Sequence, residues 1–323
     1  MTLKIALFGF ALMLTGNGMA AEKTKIRLGV LAFGTANWEL AALKNEKLLN
    51  DAAFTLDIVP MATPQAGKIA LQSNAVDMIV SDWIWVSRMR SSGADYTFYP
   101  YSNTAGALLV ADNSPIETVA DLSGKKLGIA GGELDKNWLL LQAVGLKQQV
   151  DLNQSVDKIY GAPPLLNQQL RQRRLDAVIN YWHFAARLEA EGYRQIINGR
   201  EILQQLGIDE QVPSLGYVFR ASWGNRHKAA VNHFLQLTAK AKQRLCSSDA
   251  AWRKITALTK AKDSATQDIL RQRYCEGRVR RWGAANRQAA ERVYQLLRQL
   301  SDNKLTGSTE QLQPGTFWRS GQE

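Results

Sequence analysis

The chain has 323 residues, a formal net charge of +11 and two cysteines. The length accommodates two domains of ordinary size. The cysteine count excludes a disulfide-dense scaffold, and the absence of Cys-x-x-Cys or of histidines at ligand spacing argues against a metal centre. No cofactor motif is legible.

The first twenty residues are predicted to be a secretory signal peptide, cut near Ala20. Lys4 gives a positive start, 5–14 is apolar, and Gly18 and Ala20 place small residues three and one before the cut. The apolar stretch is too short for a stable bilayer span. An uncleaved N-terminal anchor is the alternative. The mature protein is expected to be exported and soluble.

From residue 25 the pattern alternates. Strands are predicted at 25–31, 54–59 and 76–80, with helices from about 38 to 50, from Pro64, and at 83–91. Extended segments follow at 96–101 and 107–111. A second series begins with a short helix at 116–122. It continues with strands at 127–130, 156–160, 175–180 and 194–197 and helices at 136–149, 163–173 and 183–191. Strands alternating with helices predict an α/β fold with a parallel sheet in each half. After an extended segment at 212–220, the pattern is helical from Trp223 almost to Leu300. The tail 301–323 reads as an extended strap, held by Phe317 and Trp318, or else as disorder.

One phrase occurs twice, at 70–83 and 169–182. Each copy has a polar helical turn with one Leu (Leu71, Leu170) and then an aliphatic–Asp pair (Val76-Asp77, Leu175-Asp176). A short apolar run follows, ending on Ser81-Asp82-Trp83 or Asn180-Tyr181-Trp182. An apolar run of that length after a helix reads as a buried strand. Ligands of open α/β sheets bind beyond the carboxyl ends of such strands. Two such ends predict two similar lobes facing one shared cleft.

The candidate ligand-binding residues follow from that placement. Thr35, Asn37 and Trp38 lie at a helix start after the first strand, where free N–H groups suit an anionic or carbonyl group. Thr35 or Asn37 as a mere helix cap is the competing reading. Ser81, Asp82 and Trp83 end one repeat; Asn180, Tyr181 and Trp182 end the other. Gly131, Gly132 and Glu133 form the matching loop of the second half, with Asp135 close behind. Asn103 lies between the two extended segments. The acids Asp82, Glu133 and Asp135 hint at a neutral or cationic nitrogenous ligand, and Lys136 is the one cation in these loops. His183 and Trp85 fit a cap or the core as well as a cleft.

The chain resembles a periplasmic substrate-binding protein of an ABC importer, in the nitrate, sulfonate, taurine and thiamine-precursor (NMT1/THI5-like) branch. The phrases that carry the resemblance are Ile26-Arg-Leu-Gly-Val30 with Trp38, Asn74-Ala-Val-Asp-Met78, 120–130 (Ala-Asp-Leu-Ser-Gly-Lys-Lys-Leu-Gly-Ile-Ala) and Leu175-Asp-Ala-Val-Ile179. The resemblance implies a two-lobe (type II) periplasmic-binding-protein fold with a hinge. Lobe one would be 21–106 plus 211–300, carrying the helical C-terminal region, and lobe two 107–210. The hinge would lie near Thr104 and Pro213. It also implies a monomer that captures a small solute and delivers it to an inner-membrane ABC permease, with no nucleic acid and no catalysis. A sensory or partner-binding receptor is the alternative. A pyrimidine-forming enzyme is a further one, for which only His183 lies near the cleft loops.

The charge excess is concentrated. Between Lys240 and Leu300 there are fifteen basic residues against five acids. A solvated helical surface is one reading; a face toward an anionic membrane or acidic partner is the other. Cys246 and Cys275 form either one disulfide or two buried thiols.

Overall fold

The computed structural model describes residues 23–319; the predicted signal peptide lies outside the described residues. From the N-terminus run β1 (Thr24–Leu31), α1 (Ala36–Asn45), β2 (Phe54–Met61), α2 (Pro64–Gln72), β3 (Met78–Ser81), α3 (Trp83–Ser91) and β4 (Tyr96–Ser102). A second series follows: β5 (Ala107–Val110), β6 (Lys126–Ala130), α4 (Lys136–Lys147), α5 (Leu152–Ser155), β7 (Asp157–Gly161), α6 (Pro163–Arg171), β8 (Ala177–Asn180), α7 (Trp182–Ala190), β9 (Arg194–Asn198) and α8 (Gly199–Gln205). β10 (Leu215–Arg220) returns to the first sheet. The helices α9 (Ala221–Arg226), α10 (Lys228–Ser247), α11 (Asp249–Arg253), α12 (Thr256–Thr259), α13 (Ser264–Glu276) and α14 (Ala284–Leu300) complete the chain.

The strands form two five-stranded sheets, ordered β2-β1-β3-β10-β4 and β7-β6-β8-β5-β9. Both are mixed, which corrects the expectation of parallel sheets. β10 runs antiparallel to β3 and β4, and β5 antiparallel to β8 and β9. The reason is connectivity. β5 and β10 follow directly on the segments that pass between the sheets, with no crossover helix to reverse their direction.

The duplicated phrase occupies equivalent places. Each copy ends a helix on a left-handed residue, Asn74 (φ 59°) or Arg173 (φ 57°). In each, the next backbone N–H returns to the helix: Ala75 N donates to Ala70 O and Arg174 N to Gln169 O, both at 2.9 Å. The repeated aspartate then holds the neighbouring strand in register. Asp77 accepts from the Arg27 backbone at 2.9 Å, and Asp176 from the Lys126 backbone at 2.8 Å. The apolar run that follows is the central strand of its sheet in both copies.

Two local expectations are corrected. The helix at 116–122 shrinks to one 3-10 turn at Ala120–Leu122. Asp121 accepts from the backbone N–H groups of Glu117 and Thr118 at 3.0 and 2.8 Å, and this turn displaces the helix. Helix α8 was not anticipated; Asn198 and Glu201 form a capping box at its start. The C-terminal region is a set of separate helices. Lys260 adopts a left-handed φ of 56°, and 277–283 leave helix so that Arg278 can bridge Ser102 of β4.

Cys246 and Cys275 form a disulfide that ties α10 to α13, with Cα atoms 5.6 Å apart. The tail is a packed strap. Phe317 bridges Phe98, and Trp318 is buried against Phe219. No helix among the described residues is long and apolar enough to cross a membrane.

Candidate functional site

Four helices start at the carboxyl ends of central strands: α1 after β1, α3 after β3, α4 after β6 and α7 after β8. The first two belong to one sheet and the last two to the other. The starts face each other. Trp38 on α1 and Trp182 on α7 meet edge to face at 5.9 Å. Lys136 at the start of α4 lies 3.7 Å from Asp82, which precedes α3. The two copies of the duplicated phrase therefore end at one junction between the sheets.

The starts differ in how they are capped. Asp82 caps α3 by accepting from Trp85 N at 3.0 Å, and Asp135 caps α4 by accepting from Asn137 N at 2.9 Å. Thr35 and Tyr181 precede α1 and α7 without a side-chain cap. Each sheet thus presents one capped and one uncapped start, and the uncapped pair is the one joined by Trp38 and Trp182. Asn37 N and Trp38 N of α1 donate to Gly34 O and Thr35 O, and Phe184 N of α7 to Tyr181 O, so what both starts offer is chiefly the positive end of the helix dipole.

Charge adds to this. Asp82 is flanked by Lys136 from one sheet's helices and by Lys68 of α2 from the other's. Burial opposes its charge, but the two lysines and the α3 backbone outweigh burial and hold its carboxyl below the ordinary range. Burial, then the repulsion of Lys136 and Arg88, lowers the Lys68 ammonium. Lys68 also lies over the ring of Trp85, 5.0 Å from its centre. Asp135 is spent on capping, and burial pushes its carboxyl up. Glu133 is exposed and extends toward Lys304 at 3.9 Å. Lys68 and Lys136 converge on Asp82, Asp135 caps α4 and Glu133 reaches toward Lys304, so these acids, from which a neutral or cationic nitrogenous guest was expected, do not by themselves mark a cation site.

Several candidates serve the scaffold rather than an open surface. Trp38 is buried among Trp182, Trp252 and Tyr274. Ser81 is buried as well. Trp83 is 3 % exposed, and its indole N–H donates to Pro213 O at 2.8 Å. Asn180 is 1 % exposed and donates to Pro163 O and Asn167 Oδ1 at 2.9 and 2.7 Å. Asn37 donates to Leu31 O and Gly34 O at 2.8 and 2.9 Å, folding the 31–34 loop onto α1. Gly131 and Gly132 both have positive φ; a Cβ at Gly131 would fall 2.5 Å from the Tyr181 hydroxyl, so the close approach requires glycine. The Tyr181 hydroxyl is pushed up to about 12 by burial and then by Asp135.

Two segments join the sheets, 103–106 and 206–214, and they are braced together. Ser214 N donates to Ser102 O at 2.9 Å, and Asn103 donates to Gln211 Oε1 at 3.0 Å. A cavity of about 350 Å³ opens beside them, between α7 and the end of α13. Trp182 and Asn103 line it. Helix α13 also grips α7 directly, Arg273 donating to Glu189 at 2.5 Å, and Arg187 of α7 donates to Thr259 O at the end of α12 at 2.6 Å.

Lys68, Arg273 and Glu189 were missed in the sequence. A lysine in mid-helix and an Arg–Glu pair 84 positions apart carry no local signal.

Comparisons with known proteins agree with this geometry. A protein of Escherichia coli (strain K12) named for binding aliphatic sulfonates is 32% identical over 122 residues. That match covers 36% of this chain and 36% of the relative, so about a third of the relative's length is spanned. The crystal structure of the periplasmic aliphatic sulphonate binding protein SsuA from Escherichia coli superposes with a TM-score of 0.72 at 19% identity, covering 91% of this chain and 92% of that one. The alkanesulfonate-binding protein SsuA from Xanthomonas axonopodis pv. citri, bound to MOPS, gives 0.68 at 18% identity, covering 93% and 100%. These likenesses establish the two-lobe fold. The NMT1/THI5 like family matches residues 49–249, more than half of the chain, and the protein belongs to that family.

Proposed function

We propose that the protein is the periplasmic solute-capturing component of an ABC importer, and that it closes two lobes on a small anionic solute of the sulfonate type. The lobes are 21–106 with 211–300, and 107–210; the hinge is the braced pair of segments around Asn103 and Ser214. One observation carries the reading: helix starts without side-chain caps, one from each sheet, meet at the junction where Lys68 and Lys136 flank Asp82. Helix starts and ammonium groups both favour negative charge. The relatives named for sulfonates support the same class. The closed form delivers its guest to an inner-membrane permease, and the guest favours closure by its higher affinity for that form.

Isothermal titration of the purified protein with short alkanesulfonates, taurine, nitrate and matched alkylamines tests this. One-to-one binding of a sulfonate, with a raised melting temperature, is the expected result. Binding of the amines in preference to the sulfonates refutes the anionic class. Turnover of any bound compound refutes the receptor reading.

A further inference from the structure

A second cavity of about 970 Å³ shares no residue with the four helix starts. Strands β4 and β10, helix α10 and the loop 278–282 enclose it. Its lining includes Lys240, Lys242, Arg278, Arg280 and Arg281, and no aspartate or glutamate.

The charges there are of two kinds. Lys242 forms the floor and is matched: its ammonium lies 3.6 Å from Glu39 and donates to Tyr101 O at 3.2 Å. The other four are not matched. Arg278 spends its Nε on Cys275 O at 3.2 Å, and among the described residues none of Lys240, Arg278, Arg280 and Arg281 meets a carboxylate. Their neighbours behave otherwise. Arg271 pairs with Asp249, Arg273 with Glu189 and Glu276, and Arg292 with Glu210. The charge excess of the C-terminal region is thus not a uniformly solvated surface. Part of it is neutralised locally, and four of the other cations, Lys240, Arg278, Arg280 and Arg281, are gathered around one concavity.

Like charges around a concave, partly water-excluded site repel one another and focus a positive potential into it. The fold gains nothing from that repulsion, so an anion entering the groove relieves it. Shape narrows the class. A flat anionic surface would meet the exposed Lys240, Arg280 and Arg281 but not the recessed Arg278 or the floor of Tyr101, Tyr217 and Thr238. The volume is that of a small-molecule site. Guanidinium groups suit phosphate, sulfonate or carboxylate oxygens taken two at a time. We propose that this groove is a second binding site, independent of the inter-lobe junction, for a small polyanion bearing at least two such groups.

The test is calorimetric titration of the full protein with inorganic tripolyphosphate at low salt. The proposal expects one saturable site, weakened as salt rises. In the double variant Arg280→Gln/Arg281→Gln, whose side chains are exposed, affinity falls by about tenfold or more while the melting temperature holds. Lys136→Ala, at the junction, leaves this binding unchanged. Three results overturn the proposal: no saturable binding, full affinity in the double variant, or loss of affinity in Lys136→Ala, which would place the probe between the lobes. Vesicles of phosphatidylglycerol form the last arm. Binding to them with none to tripolyphosphate makes the surface a membrane face and refutes a small-molecule site.

Discussion

The ammonium of Lys242 lies 3.6 Å from the carboxylate of Glu39, and both side chains are almost wholly withdrawn from water. Glu39 also accepts from the hydroxyls of Tyr101, at 2.8 Å, and Tyr274. Burial pushes the Glu39 carboxyl up and the Lys242 ammonium down, while their attraction acts against both shifts. Removing one partner strands the other's charge. Lys242→Met is expected to cost about 3–5 kcal/mol, read from the midpoint of urea unfolding. The double variant Glu39→Gln/Lys242→Met recovers a large part of that loss. A double variant no better than the single one would show that the pair is not coupled.

His183 gives the protein a pH dependence of definite sign. Burial, then the charge of Arg187, lowers its pKa from 6.5 to about 4. The folded ring prefers to stay neutral, so its contribution is fully present above pH 6.5 and is lost as pH falls toward 4. The difference is worth up to roughly 3 kcal/mol. His183→Gln is expected to flatten the stability–pH curve in that window. An unchanged slope between wild type and variant would contradict the assignment.

The disulfide between Cys246 and Cys275 closes a loop with a sequence separation of 29. A loop of that length is worth about 3–4 kcal/mol through the unfolded chain. Cys246→Ser/Cys275→Ser, or the reduced wild type, is expected to unfold at correspondingly lower urea. Equal stability with and without reductant would remove the bridge from the account.

Lys136 is placed to act on binding more than on folding. Its pair with Asp82 is 3.7 Å long and partly exposed, so Lys136→Ala is expected to change stability by less than about 1 kcal/mol. The same change is expected to weaken an anionic solute by about tenfold or more, since it removes a charge at the junction. Titration beside thermal melting separates the two effects. A drop in stability with unchanged affinity would make the lysine a structural brace.

Much of the architecture was legible because it rests on short-range rules. The duplicated phrase spelled out a helix, a buried strand and the polar–aromatic residues at the strand's end; that its aspartate fixes register only the structure showed. Asp77 and Asp176 do the same work because each follows the same backbone turn. Phe317 and Trp318 in a polar tail pointed to a strap, but composition left disorder open, and only the packing of Trp318 against Phe219 decided it. The mixed character of the sheets was not legible, since the strand patterns of β5 and β10 do not encode direction. The fate of the candidate site residues was harder still. A tryptophan after a strand reads alike whether its indole faces a cleft or, as with Trp83, is bonded to the Pro213 carbonyl 130 positions away.

The sequence by itself determined the two α/β series, the paired strand ends and the regional excess of positive charge, because backbone propensity, periodicity and composition are local properties. Tertiary structure alone decided which charges meet. Asp82 becomes a lysine-flanked cap, Glu39 becomes half of a buried pair, and four cations of the C-terminal region are left around one groove. Electrostatic energy depends on distance and desolvation in space, and neither quantity is written in the order of residues along a chain.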